Sequence, residues 1–519
     1  MSVALTSFYD DIRARARLEP AAPAIIDAQD SRIWSYVDLL HQIDRCGGFF
    51  ATHGATPSQP VMSLLSNSTE AFIAFLASLD RGQGFAPFAP DATADEVARW
   101  ASLVKPSLCL VCETTEDAVL DALREADVPT IAATLDGSFG WLGSDGPTGA
   151  PPLSPARLYL TTSGSTGEPR ALVIDGDRLW SSGMAFCGVH DFLDGDARFF
   201  NILPMSYLGG LFNLGLIPLA AGGSVVIAPA FSGRSFLSFW QDVERYDVNV
   251  LWLVPTIVRG LLSIAQRTRR HEAVPGAQDV RACLIGTAPL DLATKEKFET
   301  LFDIPVLENY GLSETTFLTS ETLKTRGLRQ EGSVGSVLPY VELDFAATQA
   351  DEPAAQGDTS LAQVRSKTPF MFLGYLNGDG TLDSELDDSG FLATGDLGEA
   401  TRDDLLVIGG RLRDIIKKGG YLVPLREIET LAERHPAVEE AIAVGLAHDF
   451  YGESYNLLLR FADASEGDGA IDNFGAWLRG NLVRYKWPEA IAAVTEIPRT
   501  SSGKVRKHQL AEQLASGAA

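Results

Sequence analysis

Paired cysteines, long hydrophobic runs and basic residues are all scarce in this sequence, and each shortage excludes a class of protein. Five cysteines in 519 residues are too few for a disulfide framework. The longest apolar runs, such as residues 250–254, fall far short of the roughly 20 residues that span a bilayer. Residues 1–10 contain no basic segment followed by an apolar run, so we expect no signal peptide and a cytoplasmic protein.

The shortage of basic residues bears on partners. Lysine and arginine number 42 against 68 acidic residues, which gives a formal charge of -26. Such a surface repels phosphate backbones and anionic lipid heads, so we expect neither nucleic acid binding nor membrane insertion. A nucleotide site remains compatible with this charge because it needs only local positive potential.

The one close cysteine pair is Cys109-x-x-Cys112. It lies in an apolar run between Pro106 and Glu113 that is typical of a buried strand. A metal or redox role would require a second ligand pair or a helix beginning after the first cysteine, and the sequence offers neither. We therefore predict that both cysteines pack in the core.

The pattern along the chain predicts an α/β protein of more than one domain. Up to about residue 341, helix-like stretches alternate with short apolar runs, which is typical of sheets covered by helices. Residues 66–80 are one such helix, with a predicted cap at Asn67. Residues 136–156 form a Gly/Pro/Ser-rich loop or linker. After residue 342 the pattern changes to short strands and turns, followed by a compact tail with two predicted helices.

The strongest chemical signal is the loop at residues 161–170. It combines hydroxyls, glycines and one cation between two apolar runs, which suits phosphate binding, because phosphate oxygens are held by backbone N–H groups, hydroxyls and a positive charge. It lacks the Gly-Lys-Ser/Thr of a Walker loop. An ordinary Ser/Gly-rich loop is the alternative. The candidate ligands are Thr161, Thr162, Ser163, Gly164, Ser165, Thr166, Gly167 and Arg170.

Three further segments each carry one polar residue that suits the binding of a nucleotide or its metal ion. Glu314 follows a glycine turn and offers the oxygen ligands that Mg²⁺ prefers. Asp396 ends a strand-like run, where a carboxylate can accept from both ribose hydroxyls. Lys504 stands in a turn-rich segment near the end of an acidic chain. Taken singly, each also suits a solvated surface residue.

In this order and spacing, the segments resemble the adenylate-forming superfamily, which includes acyl-CoA synthetases, aryl-CoA ligases, firefly luciferase and the adenylation domains of peptide synthetases. The resemblance covers nearly the whole chain. The other matching segments are Leu203-Pro204-Met205, Gly286-Thr287-Ala288-Pro289-Leu290, Gly332-Ser333-Val334-Gly335, Gly374-Tyr375, residues 410–429 and residues 498–507.

The resemblance implies a role for each segment. Residues 161–170 would hold the β- and γ-phosphates of ATP, with Thr162 and Glu314 near Mg²⁺. Asp396 and Arg411 would bind the ribose, and Arg411 and Lys504 would be catalytic together with Glu314. The adenine would be framed by Gly286, Thr287, Ala288, Pro289, Asn309, Tyr310 and Gly311, with Ser313 and Thr315 near the α-phosphate.

The implied chemistry explains the lysine. A carboxylate attacks an anionic phosphorus, so Lys504 and Mg²⁺ would lower the repulsion while pyrophosphate leaves. The nucleophile is already ionised, so none of the seven histidines is assigned a role. The resemblance also implies an N-terminal adenylation domain at 1–411, with a β-subdomain, and a small mobile α+β domain at 412–519. Arg413 would be the hinge, and its rotation would exchange Lys504 for the 417–421 region.

Three departures from the family pattern concern substrate binding. Arg170 replaces the usual lysine and keeps the charge but not the geometry. Tyr207 replaces a histidine or another aromatic residue near the acyl carboxylate, so we expect an altered substrate preference. No aspartate lies around 205–208, which argues against an α-amino acid.

The predicted acid pocket is mainly apolar and aromatic, which favours a fatty, aryl or arylacrylic acid. Its residues are Tyr207, Leu211, Phe212, Val254, Gly286, Leu290 and Phe317. CoA is the first expectation for the acceptor. A separate carrier protein, an amine or a small oxyanion is the alternative, and a non-catalytic nucleotide- or acyl-binding relative is the remote one.

Overall fold

The computed structural model describes residues 4–56, 59–133, 152, 154–163, 169–267, 274, 276–346, 361–419, 421–461, 468–499 and 505–515. The chain divides into two compact units. The first comprises Met1–Gly327, Leu338–Val341 and Lys367–Asp387, and the second comprises Leu328–Val337, Glu342–Ser366 and Asp388–Ala519. The predicted functional boundary between 411 and 412 concerns a hinge, and it stays a prediction.

Helices and strands alternate along most of the described chain. The helices are α1 Phe8–Leu18, α2 Tyr36–Thr52, α3 Thr69–Arg81, α4 Ala94–Val104, α5 Asp117–Glu125, α6 Gly176–Cys187, α7 Ile217–Ala220, α8 Ser235–Arg245, α9 Pro255–Arg267, α10 Leu292–Phe302, α11 Leu425–Glu433, α12 Asp468–Asn481 and α13 Lys507–Ala515, with a π-helix at Gly209–Leu216. The strands are β1 Pro23–Asp27, β2 Ile33–Ser35, β3 Val61–Ser63, β4 Phe85–Pro87, β5 Leu108–Cys112, β6 Thr130–Ala133, β7 Arg157–Ser163, β8 Pro169–Asp175, β9 Arg198–Asn201, β10 Ser224–Ile227, β11 Val250–Leu253, β12 Ala282–Ile285, β13 Val306–Leu312, β14 Thr316–Ser320, β15 Ser333–Val337, β16 Glu342–Ala346, β17 Ala362–Lys367, β18 Gly374–Leu376, β19 Leu382–Asp383, β20 Leu392–Ala400, β21 Leu405–Arg411, β22 Ile415–Lys418, β23 Tyr421–Pro424, β24 Val438–His448, β25 Gly452–Phe461 and β26 Ala490–Ala493.

The first unit is built on two sheets. One runs β14-β13-β12-β11-β9-β10-β1-β2 and is parallel from β13 to β1. The other runs β19-β18-β8-β7-β4-β3-β5-β6 and is parallel from β7 to β6. Parallel strands require crossover connections, and the intervening helices supply them. The prediction of helix-covered sheets is therefore confirmed.

The strands on either side of the 161–170 loop pair with each other. β7 and β8 form an antiparallel hairpin from Arg157↔Asp175 to Ser163↔Pro169. β18 then joins the outer side of β8, with Tyr375 opposite Leu172. The hairpin thus holds the loop at the end of a sheet, as the two apolar runs of the sequence predicted.

Helix α3 begins one residue later than its predicted cap implies. Ser68 is the N-cap, and its side chain accepts a hydrogen bond from the Ala71 amide at 3.1 Å. Asn67 has a different task. Its amide donates to the Leu203 carbonyl at 2.8 Å, and its carbonyl accepts from the Met205 amide at 2.8 Å. The predicted Asn67 cap was therefore wrong, because the same side chain satisfies a distant buried backbone segment.

The apolar runs of the sequence form the core. Trp180, Trp252, Phe72 and Phe199 are among the largest fully buried side chains. Cys109 is fully buried on β5, as predicted, whereas Cys112 at the end of the strand is only half-buried, and both are free thiols. Within the described ranges, every helix is too short or too polar to pass through a bilayer.

The second unit contains the short strands predicted after residue 342. One group runs β16-β17-β20-β21-β15, and another runs β23-β22-β25-β24 with β26 beside β25. Around the second group, α11 and α12 pack against a core that includes Ile428, Tyr455 and Phe474. The antiparallel β24–β25 pair contains the longest strands of this second group.

Candidate active site

Four predicted site segments follow the carboxyl ends of neighbouring parallel strands. The strands stand in the order β13-β12-β11-β9. Leu203-Pro204 follows β9, Val254 follows β11, and the 286–290 segment follows β12. Asn309 and Tyr310 lie on β13 just beyond its last parallel partner, Glu308. Ligands of open parallel sheets bind at this edge, so the topology brings these segments to one place.

The segment after β12 is exposed and strained. Gly286 is buried, whereas residues 287–289 are exposed. Thr287 adopts a φ of 73°, a left-handed conformation that β-branched residues rarely adopt and that is often found at ligand sites. A Cβ on Gly286 would lie 2.8 Å from Asn309 Oδ1, so the glycine lets this segment approach β13 closely.

β13 continues into an antiparallel hairpin with β14, and the turn carries Ser313, Glu314 and Thr315. The turn is closed locally, since the Thr315 amide donates to the Leu312 carbonyl and the Leu312 amide donates to Thr315 Oγ1, both at 3.2 Å. Thr315 is buried, and both its amide and its hydroxyl form hydrogen bonds within this turn. Gly311 is required here because a Cβ would lie 1.9 Å from the Thr316 carbonyl oxygen.

A chain of contacts connects this turn to the phosphate hairpin. The Tyr375 hydroxyl donates to Glu314 Oε1 at 2.5 Å. The Arg170 guanidinium stacks on the Tyr375 ring, 3.5 Å from the ring centre, and forms an ion pair with Glu385 at 2.6 Å. Burial and the Glu314 charge raise the pKa of Tyr375, so its hydroxyl stays a donor. A planar guanidinium suits this stacked position better than an ammonium would.

The middle of the phosphate loop lies outside the described residues. Gly164, Ser165, Thr166 and Gly167 are not described, nor are the side chains of Thr162 and Ser163. Thr161 is half-buried on β7, and Arg170 follows the loop on β8. The described part therefore places the two ends of the loop and its cation.

In the second unit, Asp396 and Arg411 form a pair. They are cross-strand partners on β20 and β21, and Arg411 Nε lies 3.0 Å from Asp396 Oδ1. Asp396 is 2% exposed, whereas Arg411 is exposed. Gly395, before the aspartate, has a φ of 74°, and the Asp396 amide donates to Thr394 Oγ1 at 3.1 Å. The structure thus brings these two predicted ribose ligands together.

Lys504 lies outside the described residues, and so does Gly420, while the side chains of Arg413 and Lys417 are not described. The flanks of the lysine are held firmly. Arg499 and Val505 form an antiparallel bridge, and the Arg506 amide donates to the Pro498 carbonyl at 2.9 Å. Lys507 pairs with the buried Glu429 at 2.9 Å. The segment that carries Lys504 is therefore anchored at both ends.

The predicted acid pocket includes one irregular helix. Residues 209–216 form a π-helix, a rare conformation that is often found at functional sites. Gly210 makes it possible, since a Cβ there would lie 2.4 Å from the Pro204 carbonyl oxygen. The Asn67 bridge holds the segment just before it. Six of the seven predicted pocket residues are less than 9% exposed, namely Leu211, Phe212, Val254, Gly286, Leu290 and Phe317.

A buried ion cluster that the sequence did not predict lies next to the predicted adenine-binding residues of β13. Lys295, on α10, forms ion pairs with Glu308 on β13 and with Glu321, the latter at 3.4 Å. The Glu308 amide donates to Glu321 Oε2 at 2.9 Å. Burial raises the pKa of Glu308 to about 7, while Lys295 opposes the rise. Glu308 directly precedes Asn309, so the cluster holds the strand that carries the predicted adenine residues.

Comparison with known proteins agrees with this geometry. The model of the AMP-binding enzyme family matches residues 12–376, and that of the AMP-binding enzyme C-terminal domain matches residues 427–504. The sulfoacetate–CoA ligase of Cupriavidus necator is 28% identical over 96% of both chains. The 4-coumarate–CoA ligase 3 of Oryza sativa is 25% identical over 96% of this chain and 90% of its own. ATP-bound MatB from Rhodopseudomonas palustris has a TM-score of 0.85 at 24% identity, over 98% of this chain and 100% of that one.

The matched segment spans most of the chain and contains the phosphate hairpin, the 286–290 segment and the Glu314 turn. The chain therefore belongs to the AMP-binding enzyme family, which is the adenylate-forming superfamily that its motifs indicated. It is an AMP-forming acid ligase, as predicted.

Proposed function

We propose that this ligase converts a carboxylic acid into an acyl-adenylate with ATP and Mg²⁺ and then transfers the acyl group to CoA. The observation that carries the proposal is the meeting of the 286–290 segment, Asn309 and the Glu314 turn at one sheet edge, with Glu314 linked through Tyr375 to Arg170. The sulfoacetate and 4-coumarate relatives are both CoA ligases, which supports CoA as the acceptor.

The first step brings two negatively charged groups together, and their repulsion must be reduced. The acid carboxylate approaches the α-phosphate of ATP, and a P–O bond forms as the bond to pyrophosphate breaks. Arg170 is held by Tyr375 and Glu385 before the nucleotide arrives, so its charge needs little reorganisation. In this proposal Arg170 neutralises the leaving pyrophosphate, Lys504 bridges the reacting oxygens, and Asp396 with Arg411 holds the ribose.

The residues of the Glu314 turn fit a magnesium ion. Mg²⁺ is usually held by one or two carboxylates together with waters and substrate phosphates, so Glu314 alone is a sufficient protein anchor. Glu314 is half-buried, and Tyr375 orients its carboxylate through Oε1. When bound, Mg²⁺ supplies positive charge to the triphosphate. Thr162 stays the second proposed ligand.

The proposal is tested by the products formed from ATP, Mg²⁺, CoA and a panel of carboxylic acids. We expect acid-dependent exchange of labelled pyrophosphate into ATP, because adenylation is reversible, and an acyl-CoA detected by mass spectrometry. Exchange without a thioester would move the acceptor to a carrier protein, an amine or an oxyanion. Absence of exchange with every acid would contradict the enzymatic proposal and favour a binding protein.

The role of Glu314 is tested by Glu314→Gln. Because the amide keeps the shape and loses the charge, pyrophosphate exchange is expected to fall about a hundredfold, with a higher Mg²⁺ requirement. Tyr375→Phe should cause a smaller loss, since it removes only the hydrogen bond that orients the carboxylate. The matched control is Glu296→Gln, at an exposed carboxylate on α10. An Mg²⁺ titration unchanged in Glu314→Gln would remove the residue from the metal site.

A further inference from the structure

Four aromatic rings pack together where the predicted acid pocket would continue into the protein. Phe317 is the centre, with ring centroids 4.2 Å from Phe186, 5.4 Å from Trp252 and 5.5 Å from Phe212. Phe186 and Trp252 also touch, at 5.6 Å. Each of the four is at most 6% exposed. We call these residues the aromatic plug.

The plug comes from four separate elements, and two of its rings, Phe212 and Phe317, belong to the predicted pocket. Trp252 is on β11 just before Val254, Phe317 is on β14 just after the Glu314 turn, and Phe212 is on the π-helix. Phe186 packs against this group from α6. Protein interiors tolerate little added volume, so these rings leave a substrate little room between the elements.

Two buried hydrogen-bond donors accompany the rings. In the part of the chain that the structure describes, neither the Tyr207 hydroxyl nor Trp252 Nε1 has a hydrogen-bond partner. Burial raises the pKa of Tyr207, so this hydroxyl keeps its proton. A buried donor without a partner costs free energy, and a ligand that supplies an acceptor removes that cost. Tyr207 stands at the predicted carboxylate end, and Trp252 belongs to the plug.

We propose that the acid is short and carries an oxygen acceptor beyond its carboxylate. The plug limits the length of the acid, and the Trp252 N–H is the donor for its second oxygen. This inference rests on the proposed function. It differs from the expectation of a fatty, aryl or arylacrylic acid, which came from the apolar composition of the pocket. Aromatic composition alone is compatible with either substrate, but these rings pack against one another and so leave little room for a long acid between their elements.

The test compares kcat/KM for adenylation across three groups of acids. They are short apolar acids (propanoate, butanoate), short acids with further oxygens (lactate, malonate, sulfoacetate), and long or aryl acids (octanoate, 4-coumarate). We expect the second group to contain the best substrate, at least about tenfold above octanoate and 4-coumarate. A wild-type preference for octanoate, 4-coumarate or a short apolar acid overturns the inference and leaves the proposed function intact. Lack of exchange with every acid means that the proposed function itself has failed.

Variants then separate length from polarity. Phe317→Ala and the milder Phe317→Leu should raise kcat/KM for octanoate relative to the best short acid, by about tenfold for the alanine. Trp252→Phe keeps a ring and removes the N–H, so it should lower activity on the oxygen-bearing short acid but not on butanoate. Phe474→Leu, in the core of the second unit, is the matched control for a buried truncation. An unchanged acid profile in the folded Phe317→Leu and Trp252→Phe variants overturns the inference.

Discussion

Replacing Lys504 by alanine is expected to lower the rate of acyl-adenylate formation by at least about a hundredfold. The reason is electrostatic, because two anionic groups meet in this step and a single fixed donor at such a centre contributes about 10²–10³ in rate. The measurement is acid-dependent pyrophosphate exchange, with thioester formation from presynthesised acyl-adenylate measured in parallel. The second reaction should keep most of its rate, since Lys504 is expected to leave the site before CoA reacts.

The matched control for this variant is Lys324→Ala, which removes an 80% exposed lysine paired only with an exposed aspartate. It should leave both half-reactions unchanged. Wild-type adenylation by Lys504→Ala together with failed thioester formation would reverse the assigned roles. A loss of adenylation with thioester formation retained would exclude general unfolding as its explanation, because unfolding would abolish both half-reactions.

Replacing Lys295 by methionine is expected to lower the free energy of unfolding by about 3–5 kcal/mol. Methionine keeps most of the length of the lysine but leaves Glu308 and Glu321 without their cation, and both glutamate side chains are at most 5% exposed. Urea unfolding followed by circular dichroism measures the loss. The same variant should raise the KM for ATP, because the strand that carries Asn309 and Tyr310 loses its support.

The pH dependence of this loss follows from the pKa of Glu308. Burial already raises that pKa to about 7, and removal of Lys295 raises it further, so the variant takes up a proton on folding. Stability gained by such a proton is present at low pH and is lost as pH rises through the folded pKa. The deficit should therefore be larger at pH 8 than at pH 6. The double variant Lys295→Met/Glu308→Gln should recover part of the loss at pH 8, and an equal or larger deficit in it would show that packing, not charge, dominates.

The sequence predicted the alternation of helices and short strands well where the strands are apolar runs. β11 and β12 coincide with the wholly apolar runs 250–253 and 282–285. The family resemblance assigned Asp396 and Arg411 to the same ribose, and the structure places the two residues beside each other as cross-strand partners. Local pattern and motif order were sufficient for these features.

The sequence did not predict the features that depend on tertiary packing. Nothing in the 209–216 segment indicates a π-helix, because the segment is apolar except for Asn213 and shows no periodicity. The Lys295 cluster arises from the register of β13 and β14, which brings residues 308 and 321 together. Asn67 looked like a helix cap because asparagine caps helices well, yet a buried backbone 136 residues away takes its hydrogen bonds. The aromatic plug was visible only as apolar composition, since packing determines whether rings line a space or fill it.

The π-helix has a consequence for how relatives of this enzyme diverge. Such a helix bonds each residue to the fifth one along the chain, whereas an α-helix bonds to the fourth, so its turns hold more residues. Deleting one residue from 209–216 would let the segment close as an α-helix and would turn the side chains on one side of the deletion by about 100° relative to the others. Phe212 would then point from a different side of the helix and would no longer face the other rings. A change in length here, without any substitution elsewhere, would thus alter the predicted acid pocket while leaving the sheet and the nucleotide segments in place.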